Sequence, residues 1–121
     1  MKTIHLLFAL IMGISSISLS AQNKQTVTNE TVKVWGNCEM CKARIEKAAK
    51  AAGATSAKWN VDTKILSVSY NPTQVTMSKI EKSIANTGYD TNNELAGEEA
   101  YKKLPECCQY DRKPVEEAKK N

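Results

Sequence analysis

Apolar and polar positions change period several times along this chain, and each change marks an element. From Thr28 to Trp35 they alternate, with Glu30, Val32 and Val34 on one face, which predicts a half-buried strand. From Cys41 the period lengthens. Ile45, Ala48, Ala49 and Ala52 fall at i, i+3, i+4 and i+7, opposite Lys42, Arg44, Glu46, Lys47 and Lys50, so a helix with one apolar stripe is expected. Gly53 is its natural stop. Alternation returns with Ala57, Trp59 and Val61 against Ser56, Lys58 and Asn60. After the turn residues Asp62-Thr63-Lys64 it resumes with Leu66, Val68 and Tyr70 against Ile65, Ser67 and Ser69, and the pair reads as a hairpin ended by Asn71-Pro72. Thr76 is a candidate N-cap for a second helix with Met77, Ile80 and Ile84 inward, closed by Gly88, and Tyr89 to Asn92 reads as a last short strand.

The order is βαββαβ, the α+β ferredoxin-like arrangement. It places both helices on one face of a four-stranded antiparallel sheet, spanning residues 28–92. Residues 22–27 form a polar, flexible leader. Residues 93–121 are a C-terminal extension: a short helix from Gly97 to Leu104 stopped by Pro105, the pair Cys107-Cys108, and a charged tail from Asp111 expected to be disordered.

The N-terminus adds a targeting signal. Lys2 precedes a nearly unbroken apolar stretch from Ile4 to Ile14, followed by small polar residues and Leu19-Ser20-Ala21-Gln22. This reads as a secretory signal peptide, residues 1–21, cleaved after Ala21. The apolar core is shorter than the ~20 residues a membrane span needs, so no stable membrane insertion is expected after cleavage, and the protein is expected to be periplasmic or secreted. The full chain carries 17 basic and 13 acidic residues, so losing Lys2 leaves 17 − 1 = 16 against 13, a net charge of +3. The basic residues are spread along the chain, which argues against a nucleic-acid partner.

Removing the signal also removes His5, the one histidine. Any metal site must then use sulfur, carboxylate or backbone ligands. Four cysteines remain in two tight pairs, Cys38/Cys41 and Cys107/Cys108. A disulfide framework joins distant segments, whereas a bond within either pair would restrain the unfolded chain very little. These cysteines read as chemistry rather than staples.

Cys38-Glu39-Met40-Cys41, at a strand-to-helix turn, suits either a soft metal ion or a redox dithiol. The surrounding residues decide between them. Cys38-Glu39-Met40-Cys41, the following Arg44-Ile45-Glu46-Lys47-Ala48, the hairpin residues Trp59-Asn60-Val61 and Ile65-Leu66-Ser67-Val68-Ser69-Tyr70-Asn71-Pro72, and Gly88-Tyr89 together resemble the heavy-metal-associated domain family. That family includes copper chaperones, the metal-binding modules of copper-transporting ATPases and the periplasmic mercury-binding protein. The resemblance implies Cys38 and Cys41 as the metal pair, with Tyr89 supporting the site from behind the ligands. One departure stands out. Gly36 stands where the family's methionine packs under the metal loop, so either a neighbour such as Trp35 or Met40 fills that space or the loop is looser.

Thiolates select soft ions, with Cu(I) first and Hg(II), Zn(II) or Cd(II) as alternatives, and two thiolates alone suit near-linear Cu(I) or Hg(II). Cys41, in the first turn of the helix, is expected to have its thiol pKa lowered by the helix end, and Cys38 to be the more exposed thiol. Met40 is expected to pack in the loop or, if exposed, to touch Cu(I) weakly. For the second pair, the helix from Gly97 to Leu104 covers ~12 Å and would carry the chain back toward the metal loop. Cys107 or Cys108 is therefore expected to add a third or fourth thiolate. A vicinal disulfide and free thiols on a loose tail stay open as alternatives.

The functional reading is a non-enzymatic binding protein. It is expected to be a monomeric Cu(I) carrier that passes its ion to a metal-transport or efflux partner with a matching thiolate site. A mercuric-ion carrier and a thiol–disulfide oxidoreductase are the alternatives. The oxidoreductase reading lacks the longer α/β pattern and the proline loop that a thioredoxin would carry.

Overall fold

A computed structural model describes residues 26–114. Residues 1–25, which hold the expected signal peptide and most of the expected leader, and residues 115–121 of the expected tail lie outside it. The strands are β1 (Thr28–Lys33), β2 (Ser56–Trp59) and β3 (Ile65–Tyr70), and the helices are α1 (Glu39–Ala51), α2 (Met77–Asn86) and the short α3 (Glu98–Lys102). A single 3₁₀ turn, Glu106–Cys108, follows α3. Among the described residues no helix is long and apolar enough to cross a membrane.

The α+β ferredoxin-like fold is as expected, built on an antiparallel sheet of order β1-β3-β2. The register sets Val32 opposite Leu66 and Trp59 opposite Leu66, so the inward positions of all three strands meet on one face. Ile45, Ala48 and Ala49 of α1 and Ile80 and Ile84 of α2 bury against that face, with Trp59, Leu66 and Val68 beneath them. The hairpin turn needs a left-handed residue, and Lys64 supplies it at φ 64°. Thr76 caps α2 by accepting the Lys79 amide, and Gly53 and Gly88 both take positive φ past the ends of their helices.

The fourth strand is much smaller than expected. Residues 89–92 touch the sheet only through the bridge Val34↔Thr91, in which the Trp35 amide donates to the Asp90 carbonyl and the Asn92 amide to the Lys33 carbonyl. The ladder stops because the remaining amides of the segment are engaged elsewhere. The Asp90 amide donates to the Tyr110 hydroxyl, and the Thr91 amide donates to the Glu94 carbonyl as the chain turns back. The buried Glu81 of α2 holds that turn, accepting from the Thr91 hydroxyl and from the amide and side chain of Asn93.

The extension packs against the domain instead of trailing away, and of the stretch from Asp111 expected to be disordered, Arg112 and Lys113 are held in place. Asp90 is fully buried, and its carboxylate accepts two bonds from Arg112 (2.8 and 3.1 Å), one from the Ala96 amide and one from the Lys113 amide. Lys113 is buried as well, donating to the Asn92 and Thr91 carbonyls. Tyr110 stacks on Tyr89 with ring centroids 5.6 Å apart, and its hydroxyl donates to the Gly88 carbonyl. Residues 93–114 are thus tied at both ends to the segment that begins at Gly88. Replacing Arg112 by Ala leaves the buried carboxylate without its cation, and is expected to lower stability by about 3 kcal/mol. Urea denaturation checks this, with the exposed Lys47→Ala as a control expected within ~0.5 kcal/mol of the parent.

Candidate metal centre

The site grows from the N-terminal end of α1. Cys38 sits at the N-cap with extended backbone, and its sulfur accepts the Cys41 amide at 3.4 Å. A cysteine here does what Ser or Asp does at other helix starts, satisfying an amide that the first turn leaves free. The helix therefore begins at Glu39, earlier than the apolar stripe indicates, with Cys38 at the cap and Cys41 in the first turn as expected. Cys41 is fully buried at the head of the stripe, and its thiol donates to Asn37 Oδ1 at 3.1 Å.

All four cysteines are free thiols. The Cys38 and Cys41 sulfurs are 3.1 Å apart, and the Cys108 sulfur, 70 residues along the chain, lies 3.7 Å from that of Cys38. The three sulfurs all fall within 4.8 Å of one another. An ion bonded to three thiolates at ~2.3 Å in a plane sets its sulfurs ~4.0 Å apart, so this triangle is close to the size that a three-coordinate soft ion requires. Cys108 reaches it because α3 and the 3₁₀ turn fold back over the domain, and it is fully buried there. Cys107 does not join the cluster. Neighbouring residues of a 3₁₀ turn point about 120° apart, so Cys107 faces outward, exposed, with its sulfur 3.9 Å from Cys108 and 3.7 Å from Met40 Sδ.

The thiols differ in acidity. Burial pushes Cys38 up, but bonds from the Cys41 thiol and amide, the Cys108 thiol and the Met40 amide outweigh it and hold the pKa below the ordinary thiol value. Cys108 goes the other way, up to about 12, first through burial and then through its contacts with Cys41 and Cys38, which the Tyr89 hydroxyl only partly offsets. Tyr89 is itself fully buried, and its hydroxyl has no partner at hydrogen-bonding distance. Burial, then the facing thiols of Cys108 and Cys41, pushes its pKa up, so it stays a neutral donor. An unsatisfied phenol beside two thiols is suited to a thiolate acceptor, the form those sulfurs take on binding a metal.

The space under the loop is filled by neither expected residue. Met40 is 49% exposed, and Trp35 is only partly buried. The ring of Trp59 fills it, fixed by its indole N–H on the Val34 carbonyl at 3.0 Å. A Cβ at Gly36 would stand 3.0 Å from that ring and 3.3 Å from the Cys41 Cβ. The glycine leaves room for the tryptophan, a pairing visible in the sequence only as a small residue before the loop and a large one in the hairpin.

A two-layer α+β domain that gathers thiols at the start of its first helix is a soft-metal-binding domain. The comparisons agree, and the chain belongs to the heavy-metal-associated domain family, whose pattern matches residues 37–90. The copper chaperone CopZ of Staphylococcus epidermidis is 38% identical over 66 residues, covering 53% of this chain and 97% of that one. A copper-exporting P-type ATPase of Staphylococcus saprophyticus is 36% identical over 67 residues, which are 54% of this chain but only 8% of the ATPase. Among solved structures, a CopZ metallochaperone superposes with a TM-score of 0.51 at 33% identity, over 53% of this chain and 98% of its own. The family match ends before Cys107 and Cys108.

Two measurements probe this geometry. With iodoacetamide at neutral pH, peptide mapping is expected to show Cys38 and the exposed Cys107 modified in the folded protein, and Cys41 and Cys108 modified only after unfolding. Gly36→Ala, pressed against the buried ring of Trp59, is expected to destabilise by about 1–3 kcal/mol in thermal or urea unfolding.

Proposed function

We propose that this protein is an exported Cu(I) carrier that binds its ion through the thiolates of Cys38, Cys41 and Cys108. It surrenders the ion by thiolate exchange to an efflux or resistance partner. The observation that carries this reading is the gathering of three free thiols, from segments 70 residues apart, into a triangle of metal-binding size. The names of the relatives, a copper chaperone and a copper-exporting ATPase, support copper as the ion and a metal transporter as the partner.

Cys38 begins exchange, because its sulfur is the accessible member of the set and its pKa is held below the ordinary thiol value. Cys41 is the fixed ligand, held by the helix and the core. Cys108 closes the third side, and its high pKa in the metal-free protein means that metal binding drives its proton into solvent. Tyr89 donates to the thiolates from below. The exposed cations of α1, Arg44, Lys47 and Lys50, offer an acidic partner a docking face along the helix that starts at the loop. Residues 1–21 direct export, so the carrier works in the periplasm or outside the cell.

Anaerobic competition titration with Cu(I) tests the reading on the reduced chain beginning at Gln22. One-to-one binding is expected, with three sulfur neighbours by X-ray absorption. Cys108→Ser is expected to weaken binding by at least the ~10–100-fold that loss of an outer partner costs in other metal sites. Equal binding in the variant would restrict the site to Cys38 and Cys41. Failure of the parent to bind would overturn the carrier and bring thiol–disulfide exchange forward. Tighter retention of Hg(II) than of Cu(I) against matched competitors would favour the mercuric reading.

A further inference from the structure

Two more sulfurs stand at the surface beside the triangle, those of Cys107 and Met40. The Cys107 thiol is exposed, and Met40, an unbranched apolar side chain, is half exposed in the first turn of α1. They come from segments 67 residues apart, yet the sulfurs lie 3.7 Å from each other. A thiol and a thioether together form a donor set that prefers soft monovalent ions. They also adjoin the inner cluster. From Met40 to Cys107, Cys108, Cys38 and Cys41 the successive sulfur separations are 3.7, 3.9, 3.7 and 3.1 Å. An ion bonded to two sulfurs at ~2.3 Å each spans up to ~4.6 Å, so every step of this series can be bridged by one ion.

We propose that Met40 and Cys107 form a second, surface position for Cu(I), through which the ion enters and leaves the Cys38–Cys41–Cys108 site. This rests on the carrier reading above. Arriving Cu(I) bonds to the Met40 thioether and to Cys107, whose thiol proton passes to water. The ion then bonds to Cys108, whose proton also passes to water, as its bond to Met40 breaks. It goes on to Cys38 and Cys41, whose thiol protons pass to water, as its bond to Cys107 breaks and that sulfur takes a proton back. Copper stays Cu(I) throughout, and no electrons are transferred. At each stage two sulfurs hold the ion, so it is never stripped bare on its way to ligands of which two, Cys41 and Cys108, are fully buried.

The test uses the reduced chain from Gln22 with ¹³C-labelled methionine methyl groups, and Cu(I) supplied as its acetonitrile complex under anaerobic conditions. The first equivalent is expected to fill the inner site, and the second to move the Met40 methyl resonance while that of Met77, in α2, stays in place. Cys107→Ser is expected to abolish the second shift. Both Cys107→Ser and Met40→Leu are expected to keep the affinity for the first equivalent within about twofold while slowing its stopped-flow transfer to bicinchoninate by about tenfold or more. Both residues are exposed, so neither change disturbs the core. A Met40 resonance unmoved by the second equivalent, or transfer at the parent rate in both variants, overturns the surface position and leaves the inner site standing. Absence of binding at the first equivalent overturns both.

Discussion

The carboxylate of Asp90 is the constraint on which the rest of the arrangement depends. A fully buried acid is tolerated only when its charge is neutralised and its oxygens are bonded, and here both requirements are met by the extension: two bonds from Arg112 and one each from the amides of Ala96 and Lys113. The consequence is mutual. The core domain would not bury Asp90 alone, and the extension, with one five-residue helix, has too little apolar surface to fold alone. Together they fix the path from α3 into the 3₁₀ turn, and that path delivers Cys108 to the helix end where Cys38 and Cys41 wait.

At the sulfur cluster the same burial has opposite effects on neighbouring groups. Cys38 keeps one side to solvent and gathers donors, so its thiolate is favoured. Cys108 is enclosed, and its burial and the facing thiols of Cys41 and Cys38 outweigh the nearby Tyr89 hydroxyl, so its proton is retained. A cluster of three thiolates without a cation would repel itself, and the retained proton is the ordinary way a protein relieves that repulsion. A soft cation relieves it better, and the Tyr89 hydroxyl, idle among neutral thiols, then acquires an acceptor.

Much of this was legible in the sequence. The changes of period located the strands and helices, Thr76, Gly53 and Gly88 marked their ends, and the spacing of Cys38 and Cys41 with the residues around it pointed to the family and its ions. The return of Cys107-Cys108 toward the loop followed from the length of the segment before it. Periodicity has no means of choosing which of two adjacent cysteines turns inward, because that depends on the 3₁₀ geometry after Pro105. It also overstated the last strand, since residues 89–92 have strand-like composition but spend their amides on Tyr110 and Glu94. The charged tail read as disorder for a related reason. Arg112 and Lys113 look solvated until the buried carboxylate and carbonyls they meet are known, and those partners lie some twenty residues away.

The position of Cys108 has one more consequence. An ion shared by Cys38, Cys41 and Cys108 joins points 70 residues apart and so closes a large loop, as a long-range disulfide would. A covalent link of that length removes about 4 kcal/mol of chain entropy from the unfolded state. Bound metal would therefore act as a reversible staple across the whole domain. Conversely, anything that loosens the extension, such as proteolysis or a partner gripping residues 93–114, would reduce a three-sulfur site to two, so the hold on the ion reports how firmly the C-terminal segment is docked.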